Sequence, residues 1–412
     1  MIASSSTTTA PRLPRVLCVA MAAQFAVGGA VIPFVTLLLR DRGLGVGDIS
    51  LILAASSSAM LVFPFIWGML ADRFIPLDRL FILLNLGACG SLALLARETS
   101  FAGQLVAFTL LTAFLNPNFM LVGALAFHHL PKPQEQFGKV RAWGSLGWII
   151  PFLPISLWVA PGRSAKLDFV LYVGMAMGLV MAAVSWKLPH TAPGAWHRHP
   201  HGGHERYGPA LRRLLTNGNY VTLLLAYFFL AGSFSLLTFY SLPLLEDLGV
   251  PRAWLGPAQA IGVVFEFALF QWQPVLLRRW NYTAVILAGA LALLVRQWLY
   301  ATISDVWVLS FSYVLVGAVV VLSFAGTSLL ANALAGQEVR STAQTLLVLA
   351  GSGLGPMFAN WAGGRLSAVF GGSLRPVFAF STVLAGLAVA LLAWRGRRLN
   401  QAGHSRVPAT AQ

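Results

Sequence analysis

The sequence predicts an all-α membrane protein with twelve transmembrane helices arranged as two six-helix halves. Three observations support this fold class. Hydrophobic residues make up 57% of the chain and charged residues only 10%. Apolar runs of about 20 residues, the length that crosses a bilayer as a helix, recur along the sequence. One long polar interruption, at 188–218, divides these runs into two equal sets.

The composition disfavours a soluble protein. A soluble domain carries about 25% charged residues, so this chain lacks the charge to coat a water-facing globule of its size. Its formal net charge of +15 would suggest nucleic acid as the partner of a soluble protein. Here the basic residues lie mostly in short segments between apolar runs, where they act as topology signals. We therefore expect a lipid bilayer, and no nucleic acid, around this chain.

The apolar runs are interpreted as helices, because a segment in lipid has to satisfy its backbone hydrogen bonds internally. The first six predicted spans are residues 16–39, 49–71, 79–96, 103–127, 142–160 and 168–187. The last six are residues 219–243, 253–277, 283–303, 306–330, 341–362 and 376–394.

The domain division follows the polar interruption. Residues 1–187 are expected to form an N-terminal six-helix bundle, 188–218 a cytoplasmic linker, and 219–412 a C-terminal six-helix bundle with a cytoplasmic tail. This is the layout of a transporter built from parallel repeats. Most of the 28 Lys and Arg residues fall on the side of the termini when the helices are threaded in order. That bias predicts a multi-pass protein of the cell (inner) membrane with both termini in the cytoplasm.

No cofactor, metal site or enzymatic activity is expected. Cys18 and Cys89 are the only cysteines, and both lie inside apolar runs. The histidines at 197, 199, 201 and 204 are interpreted as part of a solvated linker, with a metal-binding tract as the alternative. Phosphate-binding loops, serine nucleophile elbows and zinc-binding His-Glu-x-x-His pairs are absent from the sequence.

Two ionisable residues lie near the middle of predicted spans. Glu266 is in the eighth run and Arg296 in the ninth. Such residues are costly in lipid and therefore suggest function. Glu266 could bind a hydroxyl or amine of a solute, or carry a proton. Arg296 could donate to the solute. The structural alternative is an ion pair between the two.

The segment "FGKVRAWGSLGW" is the most informative stretch. Arg141 presents five hydrogen-bond donors, and Ser145 and Trp148 follow it by four and seven residues, on one face of a helix. Together they would suit a polar solute that contains a ring. Alternatively, Arg141 anchors the helix at the membrane surface and Trp148 is a packing residue. Gly144 and Gly147 would let a neighbouring helix approach closely.

Other polar positions have weaker signals. In "GMLADRF", Gly68, Asp72 and Arg73 end the second run, where they could gate a conformational change. Gln24 and Asn116 lie within the first and fourth runs. They could contact the solute, or form hydrogen bonds between helices, which contribute about 0.6 kcal/mol each on average.

Three segments resemble a known family. "GMLADRF" resembles the loop after the second helix of major facilitator transporters. "FGKVRAWGSLGW" is similar to the fifth-helix signature of nucleoside:proton symporters and of the lactose permease type. "QTLLVLAGSGLGPMFANWAGG" resembles the eleventh helix of the nucleoside symporters. The resemblance implies the major facilitator fold.

The same resemblance implies roles for individual residues. It places the substrate-contacting arginine and aromatic of the fifth helix on Arg141 and Trp148, and a hydroxyl on Ser145. The substrate-binding acid of the eighth helix falls on Glu266, and the ninth-helix arginine on Arg296. This sequence departs from the family in the tenth run, which lacks the acid that takes part in proton coupling. Its seventh run, around "SFSLLTFYS", also lacks the larger polar contacts of nucleoside permeases.

These observations predict a secondary active transporter that moves a small polar, nucleoside-like solute by alternating access, acting as a monomer. Proton symport is expected, and it would have to depend on Glu266. Within the same class the alternatives are a sugar, oligosaccharide or aromatic-acid carrier, or a proton-independent facilitator. The alternative from another class is a membrane sensor that binds a ligand without transporting it.

Overall fold

The structure is a computed structural model that describes residues 14–131, 133–159, 166–193, 207–335 and 339–404. Every regular element in those ranges is helical. The long helices, numbered in chain order, are α1 (Arg15–Asp41), α2 (Val46–Arg73), α3 (Leu77–Arg97), α4 (Phe101–His129), α5 (Gln136–Trp158), α6 (Phe169–Ser185), α7 (Gly218–Asp247), α8 (Arg252–Arg279), α9 (Tyr282–Thr302), α10 (Val306–Ala335), α11 (340–369) and α12 (Arg375–His404).

The all-helical prediction is confirmed, and the helices are consistent with twelve crossings. Ten of the described helices are long and apolar enough to cross a membrane. The remaining two predicted spans correspond to α6, which has 17 residues, and to α11, which is interrupted. Several boundaries differ from the prediction. The largest differences are that α5 starts before residue 142, α11 ends at residue 369 and not 362, and α12 continues past residue 394 to His404.

Several helices contain breaks with a chemical cause. Pro33 interrupts α1 between Val31 and Val35, because proline has no backbone N–H to donate. In α2 a short 3₁₀ turn, Ala59–Leu61, precedes Pro64. Helices α10 and α11 each contain a π-helical turn, Val319–Ala325 and Leu349–Leu354. Such turns are frequent at functional sites.

The strongest helix contacts lie within the first six helices and within the last six. Among the first six, α1 lies against α5 and α6, and α3 lies against α4 and α6. Among the last six, α12 lies against α7 and α9, and α7 against α11. Contacts between the two sets join α2 to α11 and α5 to α8. A central cavity can therefore form between the two sets of helices, next to the α2–α11 and α5–α8 contacts.

The prediction that glycine allows a close helix approach in α5 is confirmed. A Cβ atom on Gly147 would lie 2.1 Å from the carbonyl oxygen of Ala22 in α1. On the facing helix, a Cβ atom on Gly29 would lie 2.0 Å from the carbonyl oxygen of Trp148. Both glycines are therefore required for α1 and α5 to pack at this distance.

Charged residues join the two sets of helices at the end away from residues 14 and 404, here called the far end. The guanidinium of Arg40, in α1, donates to both carboxylate oxygens of Asp247, in α7, over 2.9 and 3.1 Å. Arg252, at the start of α8, donates to both oxygens of Asp41 over 2.8 and 2.6 Å, and also to Glu246. We call these five residues the far-end ion cluster. It closes the gap between α1 and α7–α8.

The polar segment between α6 and α7 contains a further helix, Tyr207–Thr216, called the linker helix. The sequence did not predict it. Its Leu214 is buried, whereas Leu211 and Leu215 are exposed. Upstream, the backbone oxygen of Thr191 accepts from the N–H of Leu77, at the start of α3. The histidines at 197, 199, 201 and 204 lie outside the described residues.

Candidate functional site

A cavity of about 220 Å³ lies between α1, α5, α7, α8 and α10, and we call it the first cavity. It therefore includes helices from both sets. Its lining consists of Phe25, Pro33, Arg141, Ser145, Trp148, Phe234, Leu237, Thr238, Ser241, Gln259, Val263, Glu266, Tyr313, Val316 and Val320. Four predicted site residues, Arg141, Ser145, Trp148 and Glu266, are thus brought together.

A direct hydrogen bond links the two sets of helices inside this cavity. The hydroxyl of Ser145, in α5, donates to Oε1 of Glu266, in α8, over 2.6 Å. Glu266 is 9% exposed and Ser145 3%. A carboxyl group at this depth needs a partner, because an isolated charge in a low-dielectric interior is strongly disfavoured. Ser145 is therefore one of the groups that keep Glu266 in the cavity.

Arg141 faces the same cavity with unused hydrogen-bonding capacity. Its guanidinium carbon lies 4.2 Å from the ring centroid of Phe25 and 5.5 Å from that of Phe270. These ring faces stabilise a positive charge. Its Nη1 is buried and has no hydrogen-bond partner among the described residues. A guanidinium held between aromatic rings with an unused donor is well suited to bind an oxygen atom of a ligand.

Trp148 is held in place by its neighbours. Its ring centroid lies 6.4 Å from that of Phe119, with 45° between the planes, and the contact of its backbone with Gly29 fixes its main chain. The prediction that Arg141, Ser145 and Trp148 share one helix face is confirmed by their common position in the cavity wall. The indole therefore offers a positioned apolar surface beside the charged groups.

Arg296 occupies a different position. It is fully buried and lies outside the lining of the first cavity. Its guanidinium carbon is 3.9 Å from the ring centroid of Tyr313, and it donates to the hydroxyls of Ser312 and Tyr300. Glu266 is bonded to Ser145, so the alternative of a direct Glu266–Arg296 pair does not describe this conformation. Arg296 contacts the wall of the first cavity through the ring of Tyr313.

The remaining predicted site residues lie outside the lining of the first cavity. Gln24 is buried between α1 and α3, where it accepts a hydrogen bond from Asn85 over 3.2 Å. Asn116 lines a neighbouring cavity. Gly68, Asp72 and Arg73 lie at the end of α2 opposite the far end. A Cβ atom on Gly68 would meet nothing within 4 Å.

Some cavity residues were missed from the sequence. Tyr313, in α10, lines the cavity, and its hydroxyl is 2.9 Å from that of Ser241 in α7. Gln259 adds an amide from α8. The only signal for these residues was a polar atom within an apolar run, and many packing residues share that signal.

The described residues contain no group of three or more His, Cys, Asp or Glu side chains placed to hold a metal ion. Cys18 and Cys89 are both free thiols. The hydrogen-bonding side chains of the first cavity are Arg141, Glu266, four residues with hydroxyls, the amide of Gln259 and the indole N–H of Trp148.

Comparison with known sequences gives one family and two relatives. A family profile described as "MFS_1 like family" matches residues 18–380. The maltose permease of Geobacillus stearothermophilus is 28% identical over 388 residues, which are 90% of this chain and 93% of that protein. The putative nucleoside transporter YegT of Escherichia coli (strain K12) is 22% identical over 382 residues, 89% of this chain and 86% of that protein.

Solved structures share the fold. A mutant of the nucleoside transporter NupG superposes with a TM-score of 0.79 at 16% identity, covering 93% of this chain and 99% of that one. The POT family transporter PepTSo superposes with a TM-score of 0.71 at 15% identity, covering 95% and 99% of the two chains. At these identities the likeness concerns the fold.

Proposed function

We propose a solute class and a mechanism from the premise that this chain belongs to the MFS_1 like family of major facilitator transporters. The protein moves a small polar organic solute, nucleoside-like in chemistry, across the cell (inner) membrane by alternating access. It acts as a monomer, has no enzymatic activity and needs no cofactor. Both termini lie in the cytoplasm, so the far end faces away from the cytoplasm.

One observation carries this proposal: the first cavity combines an unused arginine donor, a hydroxyl-bound carboxylate and an indole between the two sets of helices. Arg141 and Glu266 bind polar groups of the solute, and Trp148 packs on its ring. Because Ser145 and Glu266 come from different sets of helices, a solute bound to both contacts the two halves at once. Such a site can couple solute binding to movement of the halves.

The solute is nucleoside-like because a planar ring with polar edges matches the indole face and the charged groups beside it. The putative nucleoside function of one relative agrees with this assignment. A sugar or oligosaccharide is the second candidate, and the more similar maltose permease favours it. An aromatic acid is the third, because Arg141 could bind its carboxylate.

The transport cycle rocks residues 1–187 against residues 219–412, joined by the segment 188–218. In this structure the far-end ion cluster joins the halves, and the contacts of Ser50 with Gly364 and of Phe152 with Gly256 lie at the same end. Transport requires these far-end contacts to break when the cavity opens at that end.

A gate at the opposite, cytoplasmic end is formed by Gly68, Asp72 and Arg73.

Proton symport depends on Glu266 in this scheme. The tenth run contains no acid after Asp305, so Glu266 is the acid available in the first cavity to exchange a proton with water when the cavity opens. A facilitator without proton coupling is the alternative. It would use the same carboxylate only to bind the solute.

Uptake into proteoliposomes tests the proposal. Purified protein is reconstituted and offered labelled uridine, maltose and an aromatic acid, with and without an inward proton gradient. We expect saturable uptake of one solute, accelerated and driven above equilibrium by the gradient. Uptake that only equilibrates identifies a facilitator. Binding without any flux identifies a sensor and contradicts the transport proposal.

A further inference from the structure

A second cavity of about 210 Å³ lies beside the first, between α2, α4, α7 and α11. Its wall differs in chemistry from that of the first cavity. Polar side chains from these four helices line it, including Ser57, Thr112, Asn116, Ser235, Thr238 and Ser352. None of its lining residues is ionisable. A neutral ligand is therefore expected there, because a charged one would have no counter-ion.

Two hydroxyls of this second cavity, those of Ser57 and Thr112, are arranged to accept hydrogen bonds from a ligand. Ser57 donates to the carbonyl of Leu53 over 2.8 Å, and Thr112 donates to that of Phe108 over 3.0 Å. Each hydroxyl thus uses its single hydrogen within its own helix and keeps lone pairs free. A ligand that carries several O–H donors satisfies such acceptors.

Asn116 adds a group that can both donate and accept. It projects from α4 into the same wall, and Ser352 is contributed by the π-helical turn Leu349–Leu354 of α11. Four phenylalanines also line this cavity: Phe108, Phe234, Phe239 and Phe324. Neutral hydrogen-bonding groups alternating with aromatic rings suit a sugar ring, whose hydroxyls point outward around an apolar C–H face.

The two cavities meet at α7. Phe234 and Thr238 belong to the walls of both. The ring of Phe234 is half-buried and packs edge-on against Phe324, with centroids 5.0 Å apart. A ligand with one ring in each cavity would therefore be joined beside this phenylalanine and the neighbouring threonine.

From this arrangement we infer that the transported solute is a glycoside: a sugar ring in the second cavity, linked to a second ring in the first cavity beside Trp148. The inference rests on the proposed transport function and extends it to a two-part solute. A nucleoside and a disaccharide share this chemistry. The first would place its base beside Trp148, and the second would place its other sugar there.

Two substitutions in the second cavity test the inference. Thr112→Val and Ser57→Ala remove hydroxyl oxygens that are available to the sugar. Their matched controls are Thr382→Val and Ser185→Ala, which remove hydroxyls with the same bond to a carbonyl four residues earlier, in α12 and α6. Dissociation constants are measured for uridine and uracil, and for maltose and glucose.

We expect Thr112→Val and Ser57→Ala each to weaken binding of the glycoside about 3–10-fold, the usual contribution of one neutral hydrogen bond. Binding of uracil, the one-ring fragment that occupies the first cavity, stays within twofold, which also shows that the variant is folded. Glucose can enter either cavity, so its binding weakens less than that of maltose. The two controls leave both constants unchanged. The pair with the selective response, uridine over uracil or maltose over glucose, identifies the source of the sugar.

Two outcomes overturn the inference in distinguishable ways. If the wild-type protein binds and moves a glycoside, but the variants weaken glycoside and fragment equally or not at all, the second cavity is not a sugar subsite and the transport proposal stands. If the wild-type protein neither binds nor moves any of the four solutes, the proposed solute class fails as well.

Discussion

At the scale of single residues, the first cavity depends on how a few polar groups share their hydrogen bonds. Ser145 donates to Glu266, and Arg141 keeps an unpaired nitrogen between two aromatic rings. A solute that bonds to both Arg141 and Glu266 would complete this set. Each bond that the solute forms with one of these buried polar groups favours its binding.

Ser145→Ala is expected to lower stability and weaken solute binding together. The substitution leaves Oε1 of Glu266 without the 2.6 Å bond, and an unsatisfied buried polar group costs about 1–3 kcal/mol. Thermal unfolding in detergent and solute titration measure the two effects. Ser185→Ala, which removes a hydroxyl bonded within its own helix, should change neither. An unchanged melting temperature for Ser145→Ala would contradict the role of this bond.

The sequence predicted a cavity residue where that residue was charged, or where it followed a charged residue at a spacing that places both on one helix face. Glu266 and Arg141 are ionisable groups in apolar surroundings, and Ser145 and Trp148 follow Arg141 on one face. Tyr313 carried no such signal, because a tyrosine in an apolar run is most often a packing residue. Asn116 was predicted as a contact residue without its location in a second cavity, since that depends on how α2 and α11 pack.

At the scale of elements, close contact between α1 and α5 sets the position of Trp148. Gly147→Ala would place a Cβ atom 2.1 Å from the carbonyl oxygen of Ala22, which is a backbone atom and cannot rotate away. We expect the variant to unfold at lower temperature and to bind solute more weakly, because α5 has to move.

Gly90→Ala is the matched control for this change. Gly90 is also a helical glycine, in α3, and a Cβ atom there would meet nothing within 4 Å. Alanine in a helix is favoured over glycine by about 0.5–1 kcal/mol, so this variant should be as stable as the wild type or slightly more. Equal melting temperatures for the two variants would show that the α1–α5 contact is not limiting.

Helix existence was predictable from the sequence, and helix ends were not. Apolar runs of about 20 residues located the described long helices, because a helix needs about that length of apolar sequence to cross the bilayer. The extension of α12 to His404 and the linker helix Tyr207–Thr216 lie in polar sequence. Hydropathy does not detect helices that continue into water. The π-helical turns in α10 and α11 were also missed, since their sequences contain no proline to mark them.

At the scale of the whole molecule, the far-end ion cluster stabilises the conformation seen here. Partly exposed ion pairs contribute about 0.2–1 kcal/mol each. Arg252 makes bonds to both Asp41 and Glu246. A cluster of this strength can hold one conformation and still break during each transport cycle.

Arg252→Gln is expected to shift the population towards a conformation that is open at the far end. Spin labels on Asp48→Cys and Ser373→Cys, in a background without Cys18 and Cys89, report the separation of the halves there. The distance distribution should gain a longer component. Arg97→Gln removes another arginine at the same end, at the end of α3, and should leave the distribution unchanged. Identical distance distributions for the two variants would show that Arg252 does not hold the far end closed.

The most direct test of the central claim, that Glu266 in the first cavity is part of the transport path, is solute uptake into proteoliposomes by Glu266→Gln. The glutamine keeps an oxygen for the Ser145 hydroxyl and removes both the charge and the exchangeable proton. Glu98→Gln, near the end of α3, is the matched control. We expect Glu266→Gln to lower the initial uptake rate at least about tenfold at equal folded yield, and Glu98→Gln to match the wild type. Uptake by Glu266→Gln at the wild-type rate would contradict the central claim.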